Sequence, residues 1–180
     1  MNQKVKMKPS YLKIAFLDRD GTLIKDYPDE KWREIKEPEF LEGSIEGLKR
    51  LKEMGYDFII ITNQYLINDG IISLNDYQQF TGKFLKKLKE ENIDILKIYF
   101  CPHNEKDHCH CKKPKPGMIE QAKKDFLIDM NNSIYIGDSQ VDYLLAKHFN
   151  LTFYGINYNG DNVKSYRSIL EISKQIKKGL

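Results

Sequence analysis

A short apolar segment that ends in two closely spaced carboxylates constrains this chain more than any other feature. Residues 12–17 are apolar except for Lys13, and Asp18 and Asp20 follow directly. Such a run predicts a buried strand, and open α/β sheets bind ligands beyond the carboxyl ends of their strands. Two carboxylates this close repel each other unless a cation or a shared proton relieves the repulsion. The segment therefore predicts a strand that leads into a cation site.

Magnesium suits the acidic pair, because it takes hard oxygen ligands and bridges them to phosphate. A carboxylate beside magnesium can also attack phosphorus and form an aspartyl-phosphate. Gly21 and Thr22 come next, which favours a tight turn where the backbone approaches a ligand. A surface turn rich in Asp and Gly would have the same composition, so this interpretation depends on the rest of the chain.

Strand and helix patterns alternate through the remaining sequence. Further strands are predicted at 56–62, 95–100, 133–136 and 151–156, and helices at 44–54, 73–91, 116–126, up to 150 and from about 165. This alternation predicts a three-layer α/β/α fold with a parallel sheet. The segments between the first three strands are too short for a cap domain. We expect one domain over residues 1–180, with a flexible tail at residues 1–10.

Polar side chains follow three more of the predicted strands. They are Thr62 and Asn63 after the second strand, Lys112 and Lys113 after the third, and Asp138 and Asp142 after the fourth. The ends of parallel strands lie along one edge of a sheet, so these groups can converge with the first acidic pair. Phosphoryl transfer needs a nucleophile, a cation and donors for the equatorial oxygens. The order of the side chains predicts that chemistry.

This set of residues resembles the haloacid dehalogenase superfamily over residues 16–142. Its phosphatases carry Asp-x-Asp-Gly-Thr, a Ser or Thr after the second strand, a Lys and a closing acidic motif. The resemblance implies that Asp18 is the nucleophile and Asp20 the general acid/base, and that Asp142 has a supporting position. The implied magnesium ligands are Asp18, the backbone carbonyl of Asp20, and Asp138. The predicted substrate-binding residues are Thr62, Asn63, Lys112 and Lys113.

All three cysteines lie in the loop at residues 101–111. Three thiolates and one imidazole form a closed tetrahedral zinc site, and the candidates are Cys101, His103, Cys109 and Cys111. His108 and His110 compete for the imidazole position. Resemblance to zinc-containing members of the superfamily favours His103. Such a closed site would be structural and would hold the two lysines toward the phosphate.

Members of the superfamily with a zinc loop and no cap domain include heptose 1,7-bisphosphate phosphatases and histidinol-phosphate phosphatases. The ending at 115–118, Lys-Pro-Gly-Met, resembles the heptose enzymes. We therefore expect D-glycero-D-manno-heptose 1,7-bisphosphate or a related sugar phosphate as substrate, with Lys112, Lys115 and Arg33 offering charge to a second phosphate. Histidinol phosphate, which would suit the acidic loop at 25–40, and a DNA 3′-phosphate remain alternatives.

Composition limits the other possibilities. The net charge is +3, from 29 basic and 26 acidic residues, which is too small an excess to indicate nucleic-acid binding. The longest clean apolar run is far too short to span a membrane. Cysteines gathered in one loop indicate metal binding in a reducing compartment rather than disulfides. We expect a cytoplasmic monomer whose partner is a small phosphorylated metabolite.

Overall fold

Six parallel strands form a single sheet in the computed structural model, which describes residues 10–160 and 163–176. The strand order is β3-β2-β1-β4-β5-β6, and each neighbouring pair is parallel. The strands are β1 Ile14–Leu17, β2 Asp57–Asn63, β3 Ile95–Cys101, β4 Ile134–Gly137, β5 Thr152–Ile156 and β6 Ser165–Tyr166.

Helices connect most of these strands. They are α1 Ser44–Glu53, α2 Leu74–Glu90, α3 Gly117–Asp125, α4 Gln140–His148 and α5 Ile169–Gln175, with short 3₁₀ helices at Asp29–Lys31 and Glu105–Asp107. A capping box begins α2: the Ser73 hydroxyl accepts from the Asp76 amide, and the Asp76 carboxylate accepts from the Ser73 amide. These bonds satisfy amides that the first helical turn leaves unpaired.

The sheet is covered on both faces, which confirms the three-layer prediction. Alternate residues of β1 point in opposite directions, as the two-residue period of a strand requires. Ala15 and Leu17 pack in a cluster with the apolar residues of α1, α2 and α5, and Ile14 and Phe16 pack with those of α3 and α4. The central strands are therefore apolar on both faces, as expected of a buried parallel sheet.

The predicted helix from about residue 165 begins later than expected. Ser165 and Tyr166 pair with β5 as the sixth strand, and α5 begins at Ile169. Ser168 caps it, since its hydroxyl accepts from the Glu171 amide. The strand satisfies backbone groups along an otherwise open edge of β5. Most of the predicted tail, residues 1–9, lies outside the described residues.

The order in which the chain adds strands to the sheet reverses at β1. From β1 it moves outward through β2 to β3, and it then returns to the other side of β1 to form β4. Such a switch point is where α/β sheets bind ligands, beyond the carboxyl ends of the strands. Within the described residues, a loop and α1 join β1 to β2, and a loop and α2 join β2 to β3, with no inserted cap domain. None of the described helices is long and apolar enough to cross a membrane.

Candidate active site

Asp18 lies at the centre of the site, immediately after β1. Its amide donates to the carbonyl of Ile136 on β4 (2.9 Å), so the residue sits between the two strands of the switch point. One carboxylate oxygen, Oδ1, accepts from the Lys113 ammonium at 2.6 Å. The other, Oδ2, is buried and has no hydrogen-bond partner. One oxygen is thus fixed and the other is available for chemistry.

Lys113 is a buried ammonium group with three acceptors. Its Nζ donates to Asp18 Oδ1 (2.6 Å), Asp142 Oδ1 (2.7 Å) and the carbonyl oxygen of Ile61 (2.9 Å). Burial alone would lower the pKa of Lys113, but the carboxylates of Asp142 and Asp18 raise it above its usual range. A permanent positive charge therefore stands beside Asp18.

Asp142 holds that lysine in place from α4. It is fully buried, and it accepts from Lys113, from the Tyr135 hydroxyl (2.9 Å), and from both the amide (3.3 Å) and the hydroxyl of Ser139. Both of its oxygens are occupied by protein donors. The supporting position expected for Asp142 agrees with this arrangement.

Asp138 lies beside the turn at Gly21 and completes the acidic cluster of Asp18, Asp138 and Asp142. A Cβ atom at Gly21 would come within 2.0 Å of Asp138 Oδ2, and Gly21 has a φ of +85°, so only glycine fits this close approach. Burial and the neighbouring Asp142 carboxylate raise the pKa of Asp138 to about 7. Burial also raises the pKa of Asp18 well above its usual range, and the nearby carboxylates add to that effect despite Lys113.

These acidic residues suit a divalent cation. Asp18, Asp138 and Asp142 each have a carboxylate oxygen within 4.8 Å of the others. A cation nearby would favour the ionised carboxylates and so oppose the effect of burial on their pKa values. Hard oxygen donors in this number fit magnesium.

Asp20, the other member of the acidic pair, faces Arg19 and Gln64. Arg19 donates through Nε to Oδ1 and through Nη2 to Oδ2, both at 2.9 Å. Gln64 Nε2 donates to Oδ2 at 2.7 Å. The carboxylate therefore lies at the pocket in a fixed orientation. The sequence contained both partners, Arg19 between the two aspartates and Gln64 at the end of β2, but no pattern in it indicated that they meet.

The two predicted substrate-binding residues at the end of β2 make different contacts. Thr62 is buried beside the pocket at the end of β2, where its hydroxyl accepts from Gln64 (2.9 Å). Asn63 also lines the pocket, but its amide exchanges hydrogen bonds with the Lys113 backbone, at 2.9 Å from the Lys113 amide and 3.3 Å to its carbonyl. Asn63 thus joins β2 to the loop that carries Lys113.

The cations expected to meet a second phosphate have other partners. Lys112 pairs with Glu105 (2.8 Å) and lies 4.9 Å from the centre of the Tyr65 ring. Lys115 donates to the Cys109 carbonyl (2.7 Å). Arg33 donates to the carbonyls of Ile71 (2.6 Å) and Gly70 (2.9 Å). None of the three is among the residues that line the pocket.

The pocket is an open cleft built by loops at the carboxyl ends of the strands. It is lined by Asp18, Asp20, Asp138, Thr62, Gln64 and Lys113, and also by Asp26, Asp29 and Tyr65. The Tyr65 hydroxyl donates to Asp29 at 2.9 Å, which ties the loop after β1 to the loop after β2. No pattern in residues 25–40 indicates this bond, because the bond depends on the meeting of two loops.

The predicted zinc ligands form one cluster. Cys101, His103, Cys109 and Cys111 each have a donor atom within 4.8 Å of the others. His108 and His110 are exposed, and His110 pairs instead with Glu120 at 2.9 Å.

The cluster has the donors and the size for zinc. Zinc–thiolate bonds of about 2.3 Å place tetrahedral ligands about 3.8 Å apart, and the sulfur–sulfur distances from Cys101 are 3.6 Å to Cys109 and 2.9 Å to Cys111. Burial raises the pKa of the Cys109 thiol, but the amides of Lys112 and Cys111 that donate to its sulfur lower it to about 7. Thiolate is the form that binds metal.

Comparison with known proteins identifies a family. The profile of the family described as polynucleotide kinase 3 phosphatase matches residues 13–155. The chain is 42% identical over 144 residues to a D-glycero-alpha-D-manno-heptose-1,7-bisphosphate 7-phosphatase of Photorhabdus laumondii, covering 76% of this chain and 77% of that protein. It is 41% identical over 136 residues to the beta-heptose enzyme of Haemophilus influenzae, covering 72% and 73% respectively.

Solved structures show the same fold. A D,D-heptose 1.7-bisphosphate phosphatase from B. bronchiseptica, complexed with magnesium and phosphate, superposes with a TM-score of 0.80 at 21% identity, covering 91% of this chain and 97% of that one. A putative haloacid-dehalogenase-like phosphatase from Mesorhizobium loti has a TM-score of 0.79 at 22% identity, with coverages of 92% and 85%. At these identities the likeness concerns the fold.

Proposed function

Since this chain belongs to the polynucleotide kinase 3 phosphatase family of the haloacid dehalogenase superfamily, we propose that it removes the 7-phosphate of D-glycero-D-manno-heptose 1,7-bisphosphate. The enzyme class, a phosphomonoester hydrolase, is that of relatives that are 42% and 41% identical to this chain over 144 and 141 residues. Those relatives favour the heptose substrate over histidinol phosphate and over a DNA 3′-phosphate.

One observation carries the proposed chemistry. Asp18 keeps a buried, unpartnered oxygen at the floor of the pocket, while its second oxygen is held by Lys113. A nucleophile needs a free lone pair in a fixed direction. A surface turn rich in Asp and Gly would instead leave both oxygens in water.

In the first half-reaction, the Asp18 carboxylate attacks phosphorus and the bond from phosphorus to the sugar oxygen breaks. Asp20 gives a proton to that leaving oxygen. Lys113 and the Thr62 hydroxyl offer positive charge and a donor to the phosphoryl oxygens. The products of this step are the free sugar hydroxyl and an aspartyl-phosphate on Asp18.

In the second half-reaction, Asp20 takes a proton from a water molecule, which attacks phosphorus. The bond from phosphorus to Asp18 breaks and inorganic phosphate leaves. The same carboxyl group thus serves as acid and then as base, which is why its orientation matters in both steps.

Magnesium, when bound by Asp18, Asp138 and the Asp20 carbonyl, supplies positive charge that offsets the acidic cluster and the phosphoryl oxygens. Zinc bound by Cys101, His103, Cys109 and Cys111 would serve the fold of the loop that leads into Lys113. Such thiolates persist in a reducing compartment, and we expect the enzyme to act as a monomer in the cytoplasm.

The sugar end of the substrate would lie against the loops at 25–40 and 64–72. Lys112 remains a candidate contact for the second phosphate, since its partner Glu105 has a side chain that is 85% exposed. An ion pair in water is weak, so a substrate phosphate can replace Glu105.

Steady-state kinetics test the proposed substrate. In magnesium buffer we expect kcat/KM for the heptose bisphosphate to exceed that for histidinol phosphate by tenfold or more, about 1.4 kcal/mol in transition-state binding. A preference in the opposite direction would overturn the heptose assignment and leave the phosphatase chemistry in place. Hydrolysis of neither compound, nor of p-nitrophenyl phosphate, would overturn both.

A further inference from the structure

Three side-chain hydrogen bonds hold the carboxylate of Asp20. Oδ1 accepts from Arg19 Nε, and Oδ2 accepts from Arg19 Nη2 and Gln64 Nε2, at 2.9, 2.9 and 2.7 Å. A bidentate guanidinium contact fixes the plane of a carboxylate as well as its position. The third bond joins Oδ2 to Gln64, which lines the pocket with Asp20.

Arg19 is itself immobilised. Its side chain is among the largest that are fully buried, and the centres of the Phe80, Tyr77 and Trp32 rings lie 5.3, 5.5 and 6.0 Å from its guanidinium carbon. These distances are within the range of cation–π contact. The rings come from α2 and from the loop at 25–40, so two elements hold the guanidinium from outside the pocket.

Gln64 joins Asp20 to the predicted phosphoryl-binding hydroxyl. Its Nε2 donates to Asp20 Oδ2 (2.7 Å) and to Thr62 Oγ1 (2.9 Å), and its backbone amide donates to the Cys101 carbonyl (2.7 Å). A hydroxyl oxygen that accepts one bond still has its own proton to give. Gln64 therefore leaves the Thr62 proton free for a phosphoryl oxygen.

We propose that Arg19 and Gln64 are positioning residues that aim Asp20 at the leaving oxygen of the substrate. Neither touches the transferred phosphoryl group in this account; both act through Asp20, and Gln64 also acts through Thr62. The inference rests on the proposed function, because it assigns Asp20 the proton transfers of phosphate-ester hydrolysis.

A positioning role makes a prediction about leaving groups. An alkyl phosphomonoester needs a proton on its leaving oxygen, whereas p-nitrophenyl phosphate leaves as a stable anion and needs much less help. The parameter kcat/KM reports the steps up to the first irreversible one, which here is phosphorylation of Asp18. Misplacing Asp20 should therefore reduce kcat/KM far more for the alkyl ester than for p-nitrophenyl phosphate.

The test compares Gln64→Met and Arg19→Lys with the wild type on both esters, in magnesium buffer. Gln64→Met keeps the length of the side chain and removes its donors, and Arg19→Lys keeps the charge and removes the planar fork. Gln121→Met is a matched control, because Gln121 Nε2 also donates to an aspartate, Asp125 (3.0 Å), far along the chain on α3. Arg50→Lys is the control for the second variant. Thermal melting shows whether each variant folds.

We expect kcat/KM for the alkyl ester to fall by about tenfold to a hundredfold in Gln64→Met, which is a partial loss of the roughly 10²–10⁴-fold that general acid catalysis contributes. The loss for p-nitrophenyl phosphate should be at least tenfold smaller than the loss for the alkyl ester, and the controls should change neither. Equal losses on the two esters, or a difference below tenfold, would overturn the inference and leave the proposed function in place. If Arg19→Lys does not fold, Gln64→Met decides alone. A wild type that hydrolyses neither ester would overturn the proposed function, and the inference with it.

Discussion

Two buried aspartates share one lysine in this site, yet their remaining contacts differ. Asp18 has an oxygen without a partner, whereas both oxygens of Asp142 accept from protein donors. The difference in contacts accounts for the difference in proposed roles. The unpartnered oxygen of Asp18 can attack phosphorus, whereas the oxygens of Asp142 face Lys113, Tyr135 and Ser139 and hold the lysine in place.

Asp142→Ala should destabilise the protein as well as inactivate it. The substitution leaves the buried Lys113 ammonium and the Tyr135 hydroxyl short of an acceptor. Removing one partner of a buried ion pair typically lowers the free energy of unfolding by about 3–5 kcal/mol. Chemical denaturation of the wild type and the variant measures this loss.

Asp125→Ala is the matched control for that experiment. Asp125 also accepts from a lysine and a tyrosine, Lys97 and Tyr99 at 2.6 Å each, but its side chain lies at the surface. Its loss should cost much less stability, because water replaces the missing acceptor. Equal effects of the two substitutions would contradict the supporting role given to Asp142.

Side-chain positions were predictable from the sequence only where a strand end dictated them. Asp18, Thr62 and Asp138 meet because the strands that carry them are parallel neighbours. The partners of Arg19 and Asn63 depend on the directions of long or branched polar side chains. Local sequence leaves those directions open, since they are set by residues distant in the chain, such as Phe80 and Lys113.

At the scale of elements, the loop at residues 101–111, called the zinc loop after its four candidate ligands, connects the candidate zinc cluster to the candidate active site. It begins at the end of β3 and leads into Lys113, whose backbone is bonded to Asn63 on β2. Asn68 and Asp107, 2.8 Å apart, join it to the loop after β2 as well. A change in the fold of the zinc loop therefore reaches two walls of the pocket.

Elemental analysis should find one zinc per chain in protein purified without chelators. Cys109→Ser should lose zinc and activity together, because metal binding and local folding are coupled. His108→Ala and His110→Ala should keep both, since these histidines lie outside the cluster. Zinc lost from either histidine variant, or full activity in zinc-free protein, would contradict this account of the loop.

Apolar periodicity predicted most of the strands and helices, and the exception was β6 at the edge of the sheet. The central strands could be predicted because both of their faces are buried, which requires continuous apolar runs such as 58–61. Strand β6 has two residues, one exposed and one buried. A segment that short carries no period, so the sequence favoured an earlier start for α5.

For the whole molecule, the sheet order explains why the chemistry gathers in one place. Within the part of the chain that the structure describes, the strand order reverses at β1, between β2 and β4, and ligands bind at such a switch point. The fold class and the position of the site could both be predicted from the alternation of strands and helices. The shape of the pocket could not, because it is built by loops such as 25–40, which have no apolar period.

The central claim is that Asp18 carries the phosphoryl group during turnover. The most direct measurement is peptide mass spectrometry of enzyme that is quenched in acid during hydrolysis of p-nitrophenyl phosphate and then treated with borohydride, which reduces an aspartyl-phosphate to homoserine. We expect homoserine at residue 18 alone. A folded Asp18→Asn variant should form none and should also lack turnover. Active wild-type enzyme with an unmodified Asp18, or with the modification at another residue, would contradict it.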